Sequence, residues 1–142
     1  MKYFTKKHDL KVGTEDSAGI DLPACVDGEI KVSPKEYLDI NTQIHVEIPK
    51  GFFGMIVPRS SIGTKKHLIL QNTVGIIDSD YRGPIKLKFF NYGNDIVSIE
   101  DGEYIAQMIL VPYSFASLEK VNILENLSET KRGDGGFGST NK

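Results

Sequence analysis

The 142-residue sequence carries 17 Lys and Arg against 19 Asp and Glu, a net charge of −2, which argues against a nonspecific DNA or RNA binder, since such proteins carry a basic surplus. One cysteine, Cys25, excludes an internal disulfide framework, and with the scattered His8, His45 and His67 it makes no zinc-ligand spacing. Hydrophobic residues make up 39% and charged residues 25%; with no apolar run near the ~18 residues of a membrane span and no apolar signal core in "MKYFTKKHDL", one soluble, cytoplasmic globular domain is expected.

Taken in chain order, short alternating runs dominate. "EIKV" and "EYLDI" are strand-like. "TQIHVEI" puts Ile44, Val46 and Ile48 on one face and Gln43, His45 and Glu47 on the other, the period of a half-buried strand. "FFGMIV" follows, and then "SSIGTKKHL", which predicts a short helical turn capped by Ser60 or Ser61. "IKLKFF" turns Ile85, Leu87 and Phe89 inward and its lysines outward, and "DIVSI" and "YIAQMILV" continue the pattern. Pro34, Pro49, Gly51, Gly54, Gly83, Pro84, Gly93 and Gly102 punctuate the runs. Many short strands with frequent turn signals predict an all-β sandwich or barrel. "FASLEKVNILENL" spaces Phe115, Leu118, Val121 and Leu124 by threes; Pro112 and the β-branched residues favour strand there. The body is expected to span 1–127, with a polar, glycine-rich arm over 128–142.

Five stretches stand apart as polar or glycine-rich islands: "DSAGIDL", "PRSSIG", "NTVGIIDSDYRG", "DGEYIAQM" and the terminal "KRGDGGFGSTNK". Each has a plain reading when taken singly. Asp16 and Ser17 suit a turn and Asp21 the outer face of a strand. "PRSS" suits a helix cap with a surface arginine, or an anion cradle of guanidinium, hydroxyls and turn amides. Asp78 and Asp80 suit a solvated hairpin, or a general base beside Ile76-Ile77. Gln107 suits the outward side of a strand. The terminal stretch nearly spells a phosphate loop, with Gly133 and Gly138 correctly separated before Ser139-Thr140, but the loop's lysine is missing. It is either a frayed tail or a mobile arm acting on something bound elsewhere.

Taken together, "AGIDL", "PRSS", "GIIDSDYRG", "IAQM" and "RGDGGFGST" resemble, in order and spacing, the five motifs of the homotrimeric dUTPases, from Asp16 to Thr140. The resemblance implies a jelly-roll-like β-barrel with a flexible C-terminal arm. It implies hydrolysis of dUTP to dUMP and pyrophosphate with Mg2+, in a homotrimer with three shared sites. Each site would take the first, second and fourth motifs from one chain, the third from a neighbour and the fifth from the remaining chain. Neither nucleic acid nor membrane is an expected partner.

By match to the third motif, Asp78 is the carboxylate that activates water for attack on the α-phosphorus; Asp80 is not the base. The same match implies that Tyr81 packs under the deoxyribose and that Asn72, Gly75 and Ile77 line the uracil. Reading N3–H and O4 rejects cytosine, because each buried polar group left unpaired costs roughly 1–3 kcal/mol. The resemblance further implies that Arg59, Ser60, Ser61 and Gln107 meet the phosphates and that Asp21 reaches magnesium through water. In the arm it implies that Arg132 meets the terminal phosphate and that Phe137 stacks on uracil, beside Gly138 and Ser139. The sequence departs from the pattern at Ile20, at Glu103-Tyr104 and in the ending "STNK". Two alternatives stay open: a dCTP deaminase, or bifunctional deaminase-dUTPase, on the related fold, and a nucleotide sensor.

Overall fold

Period-two alternation decides which side chains enter the core. The computed structural model describes residues 1–136. In chain order the strands are β1 (Lys2–Phe4), β2 (Lys11–Val12), β3 (Gly19–Pro23), β4 (Glu29–Val32), β5 (Tyr37–Asn41), β6 (His45–Glu47) and β7 (Phe52–Pro58). A one-turn helix, α1 (Ser60–Thr64), precedes β8 (Leu68–Leu70), β9 (Gly75–Ile77), β10 (Lys86–Asn91), β11 (Val97–Glu100) and β12 (Tyr104–Pro112). All pairings among them are antiparallel. The largest sheet runs β2-β3-β12-β7-β9, a second runs β5-β10-β8, and β1-β6 and β11-β4 form ribbons. The expected all-β class holds.

The inward faces meet in one hydrophobic cluster. Ile44, Val46 and Ile48 are buried, as are Ile85, Leu87 and Phe89, so both alternating runs face as their patterns require. Burying a side chain of this size contributes about 1.5–3 kcal/mol. Each strand except β1, β2 and β9 supplies a buried hydrophobic residue, and α1 adds Ile62.

Two local expectations are overturned. No strand forms over 115–127; the only regular piece is a 3-10 turn at Leu124–Asn126, and Phe115, Leu118 and Leu124 are strongly exposed. The segment pairs with none of the strands, so its backbone gains no ladder. The helix cap is neither serine: Arg59 holds that position, with extended backbone and no side-chain capping bond. The Arg59 N–H instead donates to the Ile105 carbonyl at 3.2 Å, tying the cap to β12. "NTVGII" contributes β9, which pairs with β7 and leaves Ile76 exposed.

The N-terminal segment is strapped to the β11–β12 turn through Asp101. Lys7 Nζ lies 2.8 Å from its carboxylate, and the Val26 N–H donates to it at 3.1 Å. His8 Nε2 approaches the same carboxylate at 2.9 Å without hydrogen-bond alignment. Lys7 first, then His8, hold the Asp101 carboxyl well below the usual carboxylate range.

Candidate active site

Backbone geometry gathers three of the five islands into one hollow. β12 carries an irregularity between Tyr104 and Ala106, where its register on β3 shifts. Ile105 and Ala106 are consequently both buried, the alternation changes phase, and Gln107 turns away from the core. Gln107 then stands opposite Asp21 on β3 and Val57 on β7. Asp21, Arg59, Ser60 and Gln107 line a hollow of about 350 Å³ together with Gly13, Ser17, Ala18 and Gly19. Arg59 Nε lies 3.3 Å from Asp21 Oδ1, and its Nη1 donates to the Tyr104 carbonyl at 3.3 Å. Gly19 is buried against Gln107, whose side-chain amide occupies the space that a Cβ there would need.

The "GIIDSDYRG" island forms a second hollow, of about 240 Å³. Asn72, Gly75, Ile77, Asp78 and Tyr81 line it, with Ile56, Leu70, Ile76, Pro84, Lys86 and Leu87 completing the wall. Tyr81 is stiffly set: its Oη donates to the Pro84 carbonyl at 3.1 Å, and its ring lies so close over Gly83 that no side chain fits there. The Tyr81 N–H donates to the Asp78 carbonyl at 3.1 Å, closing the turn that carries the acid. Asp78 is exposed at the mouth. Its far side borders a depression lined by Lys50, Phe53, Asp80, Tyr113 and Phe115.

The two hollows share no lining residue. Ser61 lines neither; its carbonyl accepts from the Lys65 N–H inside α1. Arg132 lines neither and folds back on its own turn, its Nε donating to the Gly135 carbonyl at 2.7 Å. Phe137, Gly138 and Ser139 lie outside the described residues. Sequence reasoning missed Lys86, which it read only as an outward lysine of β10. It also passed over Gly13, and the turn reading of Ser17 gave no sign that it lines a hollow. The proximity of Ser17 and Gly13 to "AGIDL" was the available signal.

The model of the dUTPase family matches residues 5–141. The deoxyuridine 5'-triphosphate nucleotidohydrolase of Escherichia phage T5 is 44% identical over 92% of this chain and 89% of its own length. The Acinetobacter baumannii protein of the same name is 42% identical over 100% of this chain and 99% of its own. Among solved structures, the Staphylococcus bacteriophage 80alpha dUTPase with dUPNHPP superposes with a TM-score of 0.85 at 25% identity, covering 97% of this chain and 96% of that one. The chain belongs to the dUTPase family.

Proposed function

We propose that the chain hydrolyses dUTP to dUMP and pyrophosphate in a site shared between copies of itself. The observation that carries this reading is the second hollow: one carboxylate, Asp78, at the mouth of a cavity walled by Tyr81, Asn72 and β9. At about 240 Å³ it is smaller than the roughly 300–1,000 Å³ that whole ligands usually take. It suits the base and sugar alone, and the phosphates then need the other, cation-bearing hollow. The names of the phage and bacterial relatives support the substrate.

Asp78 orients a water and takes its proton as oxygen attacks the α-phosphorus. The bond from that phosphorus to the bridging oxygen breaks, and pyrophosphate leaves. Tyr81, held by Pro84 and Gly83, walls the sugar so tightly that a 2′-hydroxyl is refused. Asn72 and the backbone at Gly75 and Ile77 read the uracil edge. Arg59, Ser60 and Gln107 bind the triphosphate, with Ser61 behind them; a donor aimed at developing leaving-group charge contributes on the order of 3 kcal/mol. Arg132, Phe137, Gly138 and Ser139 close the site from another chain.

Magnesium fits this donor set in one way. No cluster of three or more His, Cys, Asp or Glu exists among the described residues, so an all-protein cage is not offered. A water-retaining Mg2+ on phosphate oxygens needs only about one or two carboxylates, and Asp21 lines the phosphate hollow. When bound, the ion neutralises phosphate charge. The homotrimer is supported by the separation of the hollows and by the exposed Phe115, Leu118, Ile123, Leu124 and Leu127. Cys25 is free, in keeping with a reducing, cytoplasmic compartment. No helix among the described residues is long and apolar enough to cross a membrane.

The test is pyrophosphate release from dUTP, dTTP, dCTP and UTP, with ammonia assayed in parallel. Release from dUTP alone is expected, and Asp78→Asn is expected to lower kcat by about 10²–10⁴-fold while nucleotide binding survives. Ammonia from dCTP would establish the deaminase instead, and binding without turnover the sensor.

A further inference from the structure

We propose that His45 is a positioning residue for the loop that carries Asp78 and Tyr81. The loop over 78–84 bonds chiefly to itself: the Tyr81 N–H to Asp78, Arg82 Nη1 to the Ser79 and Tyr81 carbonyls, and Tyr81 Oη to Pro84. Its entry is fixed by the pairing of Ile77 with Gly54. Its exit is fixed by the Ile85 N–H donating to the Ile44 carbonyl at 2.8 Å. Between these ends, among the described residues, one side chain from outside the loop holds it by a hydrogen bond. His45 Nδ1 lies 2.7 Å from the Arg82 carbonyl.

A carbonyl oxygen only accepts, so Nδ1 carries the hydrogen and the neutral ring is the Nδ1–H tautomer. The ring is itself held in place. His45 pairs with Phe4 in the β1-β6 ribbon, and the two rings sit 5.8 Å apart at 57°. The N-terminal strand therefore braces the imidazole, and the imidazole braces the tip of the catalytic loop. His45 does not line the hollow; it acts through Arg82. Positioning of this kind matters because a misplacement of about 1 Å can cost on the order of 10²-fold in rate.

This inference rests on the roles given above to Asp78 and Tyr81, and its test separates the two. His45→Phe keeps a ring against Phe4 and removes the donor. Its kcat on dUTP is expected to fall about tenfold, with a smaller change in KM, while its thermal melt stays that of a folded protein. His45→Asn sets an amide N–H near the Nδ1 position and is expected to bring kcat back within about threefold of the parent. Nitrogen-15 NMR of the parent is expected to show His45 protonated at Nδ1 and bare at Nε2 at alkaline pH. A kcat for His45→Phe within twofold of the parent, or an Nε2–H tautomer, overturns the proposal. If the parent releases no pyrophosphate, the functional reading fails. The tautomer, together with faster amide exchange at Tyr81 and Arg82 in His45→Phe, then still decides the positioning role.

Discussion

Gly19 shows how a missing side chain can shape chemistry. The Gln107 amide fills the room that a Cβ at Gly19 would take, its flexible terminal oxygen being the nearest obstruction and its Cβ standing at 3.2 Å. Gly19→Ala should therefore leave the fold intact and push Gln107 out of the phosphate hollow. A lost hydrogen bond to a charged partner costs about 1.5–3 kcal/mol, so kcat/KM for dUTP is expected to fall roughly ten- to hundredfold, measured beside an unchanged melt. Asp21, Arg59, Ser60, Gln107, Asn72 and Asp78 line the two hollows, and the sequence singled them out only through the ordered set of motifs, since each alone has a plain reading. His45 was not legible, since it reads as the outward member of an alternating strand. Its partner is the Arg82 carbonyl, 37 residues away, and a backbone acceptor leaves no trace in side-chain pattern.

At the scale of elements, β10 is the central strand of its sheet, pairing with both β5 and β8. Phe89 in its centre is 0% exposed, and Phe89→Ala is expected to destabilise by about 3–5 kcal/mol in urea denaturation. The N-terminal strap behaves differently, through charge. The Asp101 carboxyl is depressed in the folded protein, first by Lys7. Its contribution is therefore present above the unfolded carboxylate value and lost as pH falls through the depressed one. The melting temperature of Asp101→Asn should lie below the parent at neutral pH, and the gap should narrow progressively below about pH 4. Strands were legible where both faces have a clear fate, as in "TQIHVEI" and "IKLKFF". The strand expected over 115–127 failed because apolar spacing says that a segment wants burial but not that a partner strand is there to pair with it. The Arg59 cap escaped because its bond runs from the backbone to β12, whereas capping rules score side chains.

For the whole molecule, the two hollows predict complementation. Asp78→Asn damages one hollow and Arg59→Ala the other, and in a shared site these defects reside on different chains. Each variant alone is expected to be nearly inactive, and mixing them after mild dissociation should restore activity in sites built from the two undamaged halves. Activity no greater than the sum of the separate variants would contradict sharing. The segment after β12 bears on the same assembly. Phe115 is 84% and Leu118 93% exposed, so a solitary subunit shows these apolar side chains to water. On the proposal of a shared assembly, newly made chains must find siblings before they find anything else oily, which makes the pace of production and the local crowd of copies decisive for yield.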